Sequence, residues 1–233
     1  MWGGDEFLLV LPAWLALEAA QLFFEHCRIS SPDNEPQTHS TVLVFAHHNA
    51  PIGPLQRLAR SLAEQGKQGL WKNQDSLHTL VLESFDHAGG DLGTYWARRG
   101  LPGLSWEGMA LNPTALKQLL ALWPQVASYL PMRSLHRIVD GLRRWEVAGD
   151  NEKRLITRAY ANVSESLAGP AREAWQALWT VLLRQASSGQ SWPDTPGDTF
   201  VTQAHLPAWL TLVELSDYLP TTAPVHPAEE IHA

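Results

Sequence analysis

Asp5 and Glu6 stand side by side behind two glycines, Gly3 and Gly4, and ahead of an apolar run from Phe7 to Leu11. Adjacent carboxylates at a glycine turn offer hard oxygen ligands of the kind Mg²⁺ takes when it carries nucleotide phosphates. Such an ion neutralises a triphosphate and lowers the pKa of an attacking hydroxyl, which is the chemistry of nucleotidyl transfer. The glycines permit positive φ and close approach of a ligand to the backbone. The plain alternative is an ordinary acidic hairpin turn. A two-metal site needs a third carboxylate from a neighbouring strand, and none in residues 7–86 reads as standing at a strand end. Only Met1 and Trp2 precede the glycines, so the partner strand is expected from elsewhere. Either another chain supplies it, or this is the C-terminal piece of a longer protein, which is the favoured expectation.

Three further groups could do chemistry. His47 and His48 follow an apolar stretch and precede Asn49-Ala50-Pro51. They read equally as metal or phosphate contacts and as one packed and one loop side chain. Adjacent residues of a strand point to opposite faces, so one ion does not easily take both. Lys72 reads first as a solvated loop lysine and second as a point charge for a phosphate. Arg133, Arg137, Arg143 and Arg144 share one helical segment. They read first as a solvated face and second as a contact for RNA backbone or an acidic subunit. The sequence carries no G-x-S-x-G elbow, no zinc-ligand spacing and no P-loop.

The elements that must position these groups come in two kinds. Phe7 to Leu11 has no polar residue and predicts a strand covered on both faces. Ala13 to Arg28 predicts a helix, Thr41 to Ala46 a buried strand, Leu55 to Gln65 an amphipathic helix, and Leu77 to Phe85 a strand. Residues 1–86 therefore read β-α-β-α-β, part of a layered fold with helices on a sheet. His87 to Gly108 reads as a loop, including a second Gly-Gly-Asp at Gly89 to Asp91. From Asn112 the pattern is helical: Pro113 to Tyr129 with Pro124 kinking or ending it, Met132 to Glu146, Asn151 to Asn162, Pro170 to Gln185 and Leu206 to Tyr218. The predicted division is 1–86, a linker at 87–111, a helical bundle at 112–220 and a frayed tail at 221–233.

The chain has 233 residues, 45% of them hydrophobic and 18% charged, enough for one large or two small domains with a substantial core. A net charge of −7 argues against nucleic-acid binding over the whole surface and leaves a local basic patch open. The single cysteine, Cys27, forms no disulfide framework, which fits a reducing cytoplasm. No apolar run reaches membrane-spanning length and no signal-peptide pattern opens the chain. Eleven tryptophans, nine of them from Trp71 onward, suggest large-area packing, often against another subunit.

Gly3-Gly4-Asp5-Glu6-Phe7 spells the signature of diguanylate cyclases. Those enzymes follow the next strand with a Ser-x-Gly pattern, whereas here Thr41 to Ala46 ends in His47-His48-Asn49-Ala50-Pro51-Ile52. That ending resembles the large subunit of type III CRISPR effector complexes, whose second palm domain shares the cyclase fold. The order of acidic turn, apolar strand, helix, His-His-x-x-Pro-like strand end, amphipathic helix, last strand and helical domain is similar over nearly the whole chain. It is closest at Gly3 to Pro12 and at Val42 to Leu62.

The resemblance implies an α+β fold, with an incomplete ferredoxin-like, GGDEF-like palm followed by an all-α bundle. It implies an ATP site using Mg²⁺ or Mn²⁺ that makes cyclic oligoadenylates when target RNA is bound. Asp5 and Glu6 would be the catalytic and metal residues, with Gly3, Gly4, His47, His48 and Lys72 around the nucleotide. The implied partners are the missing N-terminal half, the small helical subunit and other subunits of the cytoplasmic ribonucleoprotein, with CRISPR RNA and target RNA reached indirectly and no membrane involved. Glu6 departs from the second Asp usual in that family and reaches one carbon further. The chain alone is expected to be inactive. The competing readings are a diguanylate cyclase relative and a non-catalytic scaffold subunit.

Overall fold

The computed structural model describes residues 7–27, 37–68, 71–82, 92–98, 109–145, 147–185 and 205–221. The chain is mixed α and β and mostly helical. Helix α1 (Ala16–His26) follows a single 3-10 turn. Strand β1 (Ser40–Phe45), helix α2 (Ile52–Gly66) and strand β2 (Ser76–Val81) come next. The two strands are parallel, with Ser40 opposite Ser76 and Phe45 opposite Val81. A parallel pair needs a crossover, and α2 supplies it. Its apolar stripe, with Leu58 and Leu62 buried, lies on the sheet while Arg57, Arg60 and Glu64 face water.

β2 is buried along its whole length, as parallel strands are when both faces are covered. Beyond β2, Leu111 closes two backbone hydrogen bonds with Leu77. On the other side, among the described residues, β1 pairs with β2 alone.

The rest is helical: α3 (Leu92–Arg98), α4 (Pro113–Val126), α5 (Met132–Arg143), α6 (Asp150–Ser166), α7 (Pro170–Gln185) and α8 (Leu206–Leu215). Asn112 caps α4 by accepting from Ala115 N at 2.8 Å, with Pro113 in the first turn. Pro124 sits within α4, which tightens to a 3-10 turn at Ala127–Tyr129. α4 packs on α7, and α5 packs on α6 and α8. α8 is apolar almost all round and is correspondingly buried. Its Trp209 meets Trp175 and Trp179, and Trp209 Nε1 donates to Tyr160 Oη at 2.6 Å. These tryptophans pack inside the chain rather than against another subunit.

Three expectations change. Phe7 to Leu11 is neither a strand nor covered: Val10 is 77% exposed and Leu9 64%. An apolar run becomes a buried strand only where another strand takes its backbone groups, and none among the described residues does. The span read as a loop at 87–108 contains α3, whose Tyr95 donates to Val81 O at 2.8 Å. The second Gly-Gly-Asp, at 89–91, lies outside the described residues. The core also runs continuously across the expected linker: Met109 and Leu111 belong to the cluster joining α1, the sheet and the helices. α1 packs on α4, and Phe45 stacks on Tyr218 with ring centroids 3.9 Å apart. Cys27 caps the C-terminus of α1 and is half-buried.

Candidate functional site

The β1-α2-β2 unit has two ends with different chemistry. At the entry end, His39 precedes β1 and Asp75 precedes β2. His39 N donates to Asp75 Oδ1 at 2.8 Å, and His39 Nδ1 lies 3.2 Å from the same oxygen. The parallel register brings the two strand starts together, and the carboxylate ties them. Asp75 remains 38% exposed at its side chain, so part of it still faces solvent. Phe23 of α1 sets its ring edge-on to His39 at 5.1 Å, and Phe7 packs on Phe23 at 5.1 Å. Phe7, which follows Glu6 in the chain, therefore lies at the entry end.

α2 runs down to this same end. Ser40 Oγ donates to Ala63 O at 3.2 Å, and a Cβ on Gly66 would stand 2.5 Å from both His78 Nε2 and Ser40 Oγ. Only glycine allows the helix to approach the strands so closely. The turn after it holds exposed Lys72 and Asn73, the latter at φ 65°. Lys67, at the helix end, pairs with Glu64 at 3.0 Å.

At the exit end stand His47 and His48, both exposed, with ring centroids 4.2 Å apart. Asn49 N donates to His47 Nδ1 at 3.4 Å, and Ala50 N donates to His47 O at 2.8 Å. This tight turn delivers Pro51 to the N-terminus of α2, which has no side-chain cap. Exposed imidazoles beside the uncapped N-terminus of a helix suit an anion.

The sequence-derived candidates are thus divided. Lys72 lies toward the entry end, with His39, Asp75 and Phe7. His47 and His48 lie toward the exit end, about 20 Å away along the strand and helix. Gly3, Gly4, Asp5 and Glu6 lie outside the described residues. Sequence reasoning found no carboxylate at a strand end, yet Asp75 occupies one. Its signal was the Asn-Gln-Asp turn immediately before the β-branched and apolar run at 76–82. Among the described residues no three His, Cys, Asp or Glu side chains group to hold a metal.

Buried His78, in the middle of β2, stands 3.0 Å from Ser76 Oγ. Burial holds its pKa down at about 4, so its ring is neutral near pH 7. A cleft beside it, lined by Leu62, Thr79, Trp96, Met109 and Ala110, has room for about one water. That is a packing gap rather than a nucleotide pocket.

Compared with protein-family models, curated proteins and solved structures, the chain matches none.

Proposed function

We propose that this chain is the C-terminal portion of the large subunit of a type III CRISPR effector complex. In this reading it contributes half of a nucleotide site that makes cyclic oligoadenylates, together with an assembly surface for the RNA-guided particle. The observation that carries the reading is the pairing of two sequence signals, Gly3-Gly4-Asp5-Glu6 ahead of an apolar run and His47-His48-Asn49-Ala50-Pro51 at a strand end. The parallel β1-α2-β2 unit supports it, because it sets the second signal at the exit of a strand and the start of a helix.

Asp5 and Glu6 would hold Mg²⁺, and their oxygen donors suit that hard ion. When bound, the ion would neutralise the triphosphate and favour the attacking hydroxylate. Asp75 adds a partly solvated carboxylate at the strand entry, anchored by His39. The exposed apolar run Phe7 to Leu11 offers backbone and side chains for the remainder of a palm sheet.

The test is reconstitution with the other large-subunit half and the remaining subunits, supplied with ATP, Mg²⁺ and target RNA. Cyclic oligoadenylate from the wild type, lost in Asp5→Ala/Glu6→Ala with assembly intact, supports the reading. Unchanged product in that variant points instead to a scaffold. A cyclic dinucleotide made from GTP points to the diguanylate cyclases. The chain alone is expected to give no oligoadenylate.

A further inference from the structure

We propose that a single buried water molecule completes the outer edge of β2, bridging Thr79 and the indole of Trp96. β2 carries β1 on its inner edge. Ser76 N donates to His39 O and Leu82 N donates to Phe45 O, so the even-numbered residues turn their backbone groups toward β1. Strand alternation turns those of Leu77, Thr79 and Val81 the other way.

That outer edge is fastened at two points. Leu77 and Leu111 exchange backbone bonds of 2.7 and 2.9 Å, and Val81 O accepts from Tyr95 Oη at 2.8 Å. Between them stands Thr79. The antiparallel bridge from Leu77 to Leu111 brings Met109 level with Thr79, yet no backbone hydrogen bond joins those two residues.

Two side-chain atoms are left over at the same place. Thr79 Oγ1 and Trp96 Nε1 are shut off from bulk solvent, and neither has a hydrogen-bond partner among the described residues. The residues that carry them are 5% and 8% exposed. Both line the cleft shared with Leu62 of α2, His78, Met109 and Ala110, which has room for about one water. Buried polar groups left unpaired are costly, and native proteins pair nearly all of them with protein or with water. A gap of one water's size with at least two polar partners is what an ordered water requires.

The donors and acceptors select the occupant. Trp96 Nε1 only donates, Thr79 Oγ1 does both, and the Thr79 backbone offers one of each. A metal ion gains nothing from an indole N–H. An anion would meet no cation among the lining residues, since burial keeps the His78 ring neutral near pH 7. A small neutral molecule that both donates and accepts remains, and at this size it is water. It ties α3 to β2 beside the bond from Tyr95.

The inference does not rest on the nucleotidyl-transfer reading, and its test uses the full chain with water itself as the probe. A high-resolution crystal structure should show one ordered oxygen within about 2.7–3.2 Å of both Thr79 Oγ1 and Trp96 Nε1. In solution the Trp96 indole N–H, assigned through Trp96→Phe, should give a nuclear Overhauser cross-peak to water with the sign of a long-lived bound molecule. Thr79→Val keeps the shape of the side chain and removes one partner of the water. It should weaken the cross-peak and lower the urea midpoint. A dry gap predicts the opposite sign, because Val would relieve an unpaired hydroxyl and the midpoint would hold or rise. If Thr79→Val does not fold, the crystal and resonance measurements on the wild type still decide. The proposal is overturned by a wild-type cleft without density and without the water cross-peak, or by a Thr79→Val midpoint at or above that of the wild type.

Discussion

Residues 7–82 bury β2 on both faces yet leave Phe7 to Leu11 in water, whereas residues 113–219 enclose Trp175, Trp179 and Trp209 completely. The difference lies in how each half satisfies its backbone. Helices close their own hydrogen bonds, so α4 to α8 need only apolar contact to complete a core. A strand needs a neighbour, and β1 finds one neighbour, while the run before α1 finds none among the described residues. The helical half thus closes its own backbone while sharing one core with the sheet half, and the sheet half presents surface, polar pairs and an open edge among the described residues.

The sharpest way to break this comparison is Trp209→Ala. It removes the ring that touches Trp175, Trp179 and Tyr160, and with it the donor to Tyr160 Oη. The helical half should lose about 3–5 kcal/mol, read as a large drop in urea midpoint. A loss below about 1 kcal/mol would show that the tryptophan cluster contributes less to the core than its packing indicates.

A smaller effect is expected from acid, and it probes the sheet half. The folded pKa of His78 lies near 4 against an ordinary 6.5, so between these values the unfolded chain binds the extra proton. Stability is whole above pH 6.5 and is lost as pH falls toward 4, by at most ~3 kcal/mol. Urea titrations across this window should show the slope in the wild type and a shallower one in His78→Gln. Equal slopes would remove His78 as the cause.

The smallest effect should come from the open run. Val10→Ser, at a side chain 77% exposed, should change stability of this chain by no more than about 0.5 kcal/mol. If Phe7 to Leu11 is an interface, the same change should weaken assembly with the rest of a complex, measured by co-purification. A large loss of stability in the isolated chain would mean that the run is already packed.

Much of this architecture was legible in the residues themselves. The spacing of Leu116, Leu119, Leu120 and Trp123 announced α4, and the Asn112-Pro113 cap fixed its start. The apolar stripes of α2 and α5, and the β-branched run of β1, were equally plain. Local periodicity and capping decide these because each depends on residues within a turn or two.

What the sequence by itself determined is most of the elements, β1, α1, α2, β2 and α4 to α8 but not α3, and the residue types available for chemistry at Asp5, Glu6, His47, His48 and Lys72. Only the tertiary structure decided that Lys72 and the two histidines stand at opposite ends of one β-α-β unit. It also decided that Asp75 and His39, 36 positions apart, share a hydrogen bond at the strand entry, and that the apolar run before α1 stays uncovered. The physical reason is the same in each case. Strand pairing and strand burial depend on partners distant in the chain, and neither periodicity nor composition carries that information.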